Sequence, residues 1–215
     1  KLSQPQKYRY WAGYVNISSS KDEKNFEQSI LSRQVSFKNF LSDHDGLLFF
    51  RLPTGILDEQ ILEAVDKWDG SLDKYGFQVS TGRVVPFRAK ELLKEQVKAG
   101  NGTVPLLWMQ NVKPYQVEYP LEKLGKPQAI SLNDLSLLVP KGNYVLLRRF
   151  SAKEDKRRLI SAPLIGEKFA FEQIGFENHL NVIFKKKGTL STSETIGLSA
   201  ILNSAIIDRY FRIIN

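Results

Sequence analysis

The stretch Tyr144-Val145-Leu146-Leu147-Arg148-Arg149-Phe150-Ser151-Ala152-Lys153-Glu154-Asp155-Lys156-Arg157-Arg158-Leu159-Ile160-Ser161-Ala162 decides the fold class. Tyr144–Phe150 is aliphatic and aromatic enough for a strand, and Arg157–Ala162 is a second such run. The charged turn Ser151–Lys156 joins them directly, so the pair predicts a β-hairpin. Downstream, Phe176–Phe184 alternates, with Phe176, Asn178, Leu180, Val182 and Phe184 expected on one face. Ser191 with Glu194 three residues on forms a capping box. After it Leu198, Ile201, Leu202, Ala205, Ile206, Tyr210 and Phe211 recur at helical spacing, so one helix is expected to run to the end of the chain.

Upstream of the hairpin, Tyr8–Ile17 reads as a strand and Ser18–Glu23 as a polar loop. Val35–Leu41 and Leu47–Leu52 are short apolar runs suited to strands. Ile61, Leu62, Val65 and Trp68 predict a helix over Ile56–Trp68, bounded by Pro53-Thr54-Gly55 and Asp69-Gly70-Ser71. Phe77, Val79, Val84, Val85 and Phe87 form extended segments interrupted at Thr81-Gly82. Leu92, Leu93 and Val97 predict a second helix over Arg88–Lys98 with Gly100 as its stop. Val104–Met109 is a short strand, and residues 110–142, with four prolines, are expected to be loop-rich. Strands and helices mix without a βαβ rhythm. The expected class is therefore α+β: mixed sheet and hairpins with a long C-terminal amphipathic helix. The style changes near residue 75, which suggests a bridging segment at 1–74 and a separate domain at 75–215.

The chain has 215 residues, 42% hydrophobic and 25% charged, which suits a soluble globular domain and argues against a disordered chain. It has no cysteine, so disulfides, zinc-thiolate sites and a cysteine nucleophile are excluded. Its one methionine is Met109, so the sequence is expected to be a piece of something longer. No apolar run reaches the roughly 18 residues of a membrane span, and KLSQPQKYRY carries no secretory h-region. The formal charge is +8. Residues 1–80 hold 10 Lys and Arg against 11 Asp and Glu, whereas residues 81–215 hold 21 against 12. The whole excess falls in the second span, where a polyanion partner is expected.

Catalytic motifs are missing. There is no P-loop and no G-x-G-x-x-G fingerprint, and Gly100-Asn101-Gly102 reads as a turn before a strand. Two histidines, His44 and His179, without cysteine make a zinc site improbable, and His44 falls in a loop-like Ser42–Gly46. No metal is expected. Glu154-Asp155 would suit a Mg²⁺ nuclease but sits among four cations, as a solvated hairpin tip would. Asn111-Val112-Lys113-Pro114-Tyr115 resembles an Asn-Pro-Pro-Tyr amine-methylating loop only at a glance. Val-Lys replaces Pro-Pro and the aromatic comes one place late, so no catalytic residue is expected. Binding features are stronger: six cations lie on the predicted hairpin, and Lys185-Lys186-Lys187 adds three more. Such cations neutralise phosphates with release of counterions, and arginine can grip guanine bidentately.

Five stretches in order carry a family resemblance. They are Val79–Arg88 (VSTGRVVPFR), Val104–Leu107 (VPLL), Tyr144–Arg158 (with RRFSAKE and RR), Gly175–Val182 (GFENHLNV), and Gly197–Arg212 (GL, LNS, DRYFR). Together they resemble the C-terminal target-recognition region of adenine-specific (N6) DNA methyltransferases of γ class from bacterial restriction–modification systems. Pro86 departs from the acidic residue expected there. The resemblance implies that an N-terminal domain binds S-adenosylmethionine and carries the catalytic loop, while this region selects the site on double-stranded DNA in the cytoplasm. The target adenine must leave the helix, which costs a few kcal/mol that DNA contacts supply. On this reading residues 1–74 are expected to be the tail of the catalytic domain or a segment bridging to the recognition domain at 75–215, itself expected to be truncated at its C-terminus. The fragment holds no cofactor itself and is inactive alone. Its partners are duplex DNA and its own methyltransferase domain, with no membrane. The expected DNA-contact residues are Arg83, Arg88, Arg148, Arg149, Lys153, Arg157, Arg158, Lys186, His179 and Asn181. His179 and Asn181 are expected to share one strand face, as polar readers or as structural hydrogen-bond formers. The alternative is a stand-alone DNA specificity subunit of a multi-subunit complex.

Overall fold

The computed structural model describes residues 13–20, 30–44, 46–98, 100 and 102–214. They divide into two compact units, one of residues 1–69 with 209–215 and one of residues 70–208.

In the first unit β1 (Tyr14–Ser20) pairs antiparallel with β2 (Ile30–Ser36), in register Tyr14 to Ser36. Ser18–Ser20 therefore extend a strand instead of opening a loop, whereas Tyr8–Ala12 and residues 21–23 lie outside the described residues. The run expected at Val35–Leu41 is split. Ser36 accepts from the amide of Asn39 and caps the one-turn helix α1 (Phe37–Phe40). A hairpin follows, β3 (Leu41–His44) on β4 (Leu47–Phe50), so Ser42–His44 are strand. The expected helix is α2 (Ile56–Val65). Asp58 in its first turn is buried, and accepts from the amide and hydroxyl of Thr54 and from Nε of Arg209. Burial opposes its ionisation, but those donors outweigh it and hold the carboxyl below its usual range.

The second unit is built on two sheets. The four-stranded one runs β13 (Ser161–Leu164), β12 (Tyr144–Arg148), β15 (Leu180–Lys185), β5 (Phe77–Thr81), all antiparallel. The hairpin read from the sequence is present as β12–β13, with Leu147 opposite Ser161. Its second strand starts at Ser161, so Arg157 and Arg158 belong to the connection. The five-stranded sheet has the order β11 (Leu138–Pro140), β14 (Gln173–Phe176), β7 (Thr103–Leu107), β10 (Ala129–Ser131), β6 (Leu93–Lys94). Only β14 with β7 is parallel among its pairs. A further short hairpin joins β8 (Val112–Lys113) and β9 (Gln116–Val117).

Strand alternation sorts the core into layers. Leu146, Ala162, Leu164, Leu180 and Val182 of the four-stranded sheet pack with Leu107, Ile174 and Phe176 of the five-stranded one. Val145 and Ile183, from the opposite face, meet Leu190 with Leu198 and Leu202 of α3 (Thr192–Leu202). Val84, Val104, Leu106, Trp108 and Ile130 fill a third cluster.

Three expectations need correction. Arg88–Lys98 is no helix: a short 3₁₀ turn at Lys90–Leu92 leads into β6, where Leu93 pairs with Ile130. Cross-strand pairing and burial of Leu92 and Leu93 against the third cluster override a short helical pattern. The run Phe176–Phe184 is also not one strand. A turn closed by the Leu180 amide on the Glu177 carbonyl (2.9 Å) carries the chain from β14 to β15, that is, from one sheet to the other. Lastly, the C-terminal helix is two helices. α3 opens with the predicted Ser191–Glu194 capping box, stops at Asn203, and α4 (Ala205–Ile214) follows. Ile201 and Ile206, assigned to the apolar stripe, are about half exposed. The fully buried positions of α3 are polar, Thr195 and Ser199, followed one turn later by its capping residue Asn203, while Leu198 and Leu202 pack half-buried beside them.

Candidate nucleic-acid interface

The predicted cations separate into those bound to neighbouring main-chain or side-chain oxygens, half-buried except for the exposed Arg83, and those open on the surface. Arg148, opposite Leu180 on β12, is half-buried and donates from Nε to the carbonyl of Val112 (2.8 Å). Burial pulls its guanidinium below the ordinary value, with Asp155 opposing. Arg157 donates to the carbonyl of Asn203 at the end of α3. Arg158 donates from Nε to Ser151 Oγ, and Asp208 accepts the amides of both Arg158 and Leu159. Arg83 spans to the carbonyl of Leu138 (2.9 Å). Arg83, Arg148 and Arg157 thus serve main-chain carbonyls and Arg158 a hydroxyl, a use that composition does not show.

Other predicted residues remain outward. Arg88 is exposed and lies 5.4 Å from the ring of Phe87, itself 76% exposed. Lys153 and Lys186 are exposed. Lys185 is tied to Glu194 at 2.7 Å, so the Lys185–Lys187 triplet is not uniformly open. That contact and the Ser191 amide hold the Glu194 carboxyl down to about 2. Asn181 sits half-buried on β15 between Leu147 and Thr81. His179 lies in the turn before that strand, so the two do not share a strand face.

Around that turn five residues assemble. The amide of Arg149 donates to the His179 carbonyl (3.0 Å) and its guanidinium to the Asn178 carbonyl (3.3 Å). The same guanidinium sits 5.3 Å from the Phe150 ring, and Phe150 meets the His179 ring edge-to-face at 5.3 Å. Glu177, buried beneath, places Oε1 2.5 Å from Nδ1 of His179. Glu177 lies within the GFENHLNV stretch, whose likeness gives it no role of its own. A glutamate beside a histidine two residues on, at the end of a strand, was the available signal.

Gly82 makes this turn possible. A Cβ there would stand 2.2 Å from the Glu177 carbonyl oxygen, so only glycine lets β5 turn so close to it. A cavity of about 220 Å³ opens beside it, lined by Thr81, Arg83, Tyr144, Phe176, Val182 and Phe184. Burial raises the Tyr144 phenol, with the charge of Arg83 opposing, and its hydroxyl donates to the Pro140 carbonyl.

Asn111 is wholly buried. Its side chain accepts from the Trp108 amide and donates to the Glu118 carbonyl, both at 2.7 Å. It organises the β8–β9 hairpin, and its full burial withholds the side-chain amide from a substrate. Among the described residues no group of three His, Cys, Asp or Glu stands close enough to hold a metal ion. None of their helices is long and apolar enough to cross a membrane.

The homologues of this chain are type II methyltransferases. It is 38% identical over 203 residues to the type II methyltransferase M.BsuBI of Bacillus subtilis, and 35% identical over 206 residues to the type II methyltransferase M.PstI of Providencia stuartii. Each match takes in 94% of this chain and 39% of the relative, so the chain spans about two fifths of their length. No family model matches it.

Proposed function

We propose that this chain is the DNA-reading portion of a restriction–modification methyltransferase, selecting a duplex site for methylation of adenine N6. The observation that carries the reading is the 38% identity to a type II methyltransferase along 94% of the chain but 39% of that relative. A match of this extent is what one part of a divided enzyme gives. The γ class, the S-adenosylmethionine requirement and the catalytic loop belong on this reading to the rest of the parent enzyme, which works on DNA in the cytoplasm. In support, none of the sequence motifs for cofactor binding or amine transfer occurs in these residues.

The physical division of labour agrees with this. Residues 81–215 carry the whole positive excess, and phosphate neutralisation supplies affinity without sequence preference. Arg88, Arg149, Lys153, Lys186 and His179 lie at the surface of the second unit and are the preferred contacts. Arg83, Arg148, Arg157 and Arg158 also support loops, and contact DNA only with the donors that remain. A fluorescence anisotropy titration of the 215-residue chain with duplex DNA tests the reading. Binding at low salt that weakens steeply as salt rises is expected; no binding at low salt overturns it.

A further inference from the structure

Glu177 is the one buried carboxylate whose two oxygens make no hydrogen bond among the described residues. Its side chain is 1% exposed, yet it holds no backbone amide, no hydroxyl and no arginine. Burying an ionised carboxylate without a partner is costly, so such a group is retained with a counter-group. The counter-group is the His179 ring, with Nδ1 2.5 Å from Oε1, a contact without hydrogen-bond alignment. That ring is 48% exposed, and the Phe150 edge-to-face contact limits its rotation.

At 2.5 Å a bare ring nitrogen would set its lone pair against the carboxylate, so Nδ1 carries a proton, and the occupancy of one ring nitrogen sets the role of the other. We infer that Glu177 is a positioning residue that turns Nε2 of His179 outward as a hydrogen-bond donor to a phosphate oxygen of duplex DNA. The inference rests on the DNA-reading proposal above and adds a residue and an atom to it. With an acceptor on each side, carboxylate within and phosphate without, the bound imidazole holds a proton on both nitrogens.

The charged groups packed around the ring are Glu177 from its own turn and Arg149 from the end of β12. Arg149 contributes positive charge beside the same phosphate, with its guanidinium on the Asn178 carbonyl and the Phe150 ring. Arg148 and Arg83, on the neighbouring segments, direct their guanidinium groups to the carbonyls of Val112 and Leu138. The DNA-bound state thus holds one proton more than the free state with a neutral ring. Affinity therefore rises as pH falls, by uptake of that proton on binding.

The experiment is duplex binding by the 215-residue chain at several pH values, with long-range proton–nitrogen NMR of the imidazoles. The chain has two histidines, so His179→Gln assigns the spectrum and His44→Gln serves as a control. In the wild type, duplex DNA is expected to convert His179 to the doubly protonated ring, and affinity to fall with rising pH by at most about tenfold per unit for one linked proton. His179→Gln is expected to abolish that pH dependence and lower the salt slope by about 0.9, one phosphate contact. Glu177→Gln is expected to release the Nδ1 proton preference in the free chain and to reduce proton uptake on binding. If Glu177→Gln does not fold, His179→Gln, altered at a half-exposed ring, decides alone. Wild-type binding with an unchanged His179 spectrum, or an equal pH dependence in His179→Gln, overturns this inference and leaves the DNA-reading proposal intact. No duplex binding by the wild type at low salt overturns the DNA-reading proposal, and this one with it.

Discussion

The side-chain amide of Asn203 donates to the carbonyl oxygen of Ser161 at 2.8 Å, with both residues wholly buried. Asn203 also accepts the Ser161 amide (3.1 Å) and donates to the Ser199 carbonyl (2.8 Å). One asparagine thus ends α3 and fastens it to the first residue of β13. Replacing it by alanine leaves the buried Ser161 amide without this acceptor, while the Ser161 carbonyl keeps the Tyr115 amide (3.0 Å), at a cost of about 1–3 kcal/mol for the group left unpaired. Asn203→Ala is expected to lower the urea midpoint with the slope unchanged, the product of slope and midpoint shift being of that order. A midpoint equal to the wild type would refute the assignment.

Gly82 carries a second, steric prediction. The Cβ of alanine would meet the carbonyl oxygens of Glu177 at 2.2 Å and Phe176 at 2.6 Å, both backbone atoms that cannot swing aside. Gly82→Ala is expected to destabilise by about 3 kcal/mol, at the upper end of ordinary point substitutions. Gly197→Ala, at a helical position with nothing within 4 Å, is the control and is expected to be neutral or slightly stabilising. Thermal denaturation of the pair separates the two cases.

Charge reversal distinguishes the two adjacent arginines. Arg149 is exposed, so Arg149→Glu is expected to weaken duplex binding and lower the salt slope by about 1–2 while the melting temperature changes little. Arg148 holds β8 through the Val112 carbonyl, so Arg148→Glu is expected to cost about 1–3 kcal/mol of stability as well. Equal stability losses from both would contradict the geometry.

The acid limb of stability has a local contribution from Glu194. Lys185 and the Ser191 amide lower its carboxyl from 4.5 to about 2. A carboxyl lowered on folding contributes fully above its unfolded value, and that contribution is lost as pH falls through the folded one. The wild type is therefore expected to exceed Glu194→Gln in stability above pH 4.5, with the difference closing between 4.5 and about 2. Acid unfolding followed by circular dichroism checks this. A difference that grows on acidification would show the opposite linkage.

Features governed by neighbours in sequence were legible without coordinates. The Ser191–Glu194 capping box, α2 and the β12–β13 hairpin each depend on residues a few positions apart, or on a polar turn between two apolar runs. The asymmetry of charge was also present in the letters alone. No local signal separates Arg148 from Arg149: both are cations beside each other on a strand, and only the packing of β8 decides which one is half-buried.

By itself, then, the sequence determined the mixed α+β class, the hairpin, the start of the last helical segment, the absence of cysteine chemistry and the place of the positive charge. Tertiary structure alone decided that Arg88–Lys98 would add a strand at β6, that the last helix would break at Asn203, and that Phe176–Phe184 would change sheets at a turn. It also placed a buried carboxylate against His179. The physical reason is common to these cases. Helical or alternating periodicity records only which side chains can share a face. Which partner covers that face, and which buried polar group must be met there, is settled by residues far away in the chain, such as Ile130 for Leu93 and Ser161 for Asn203.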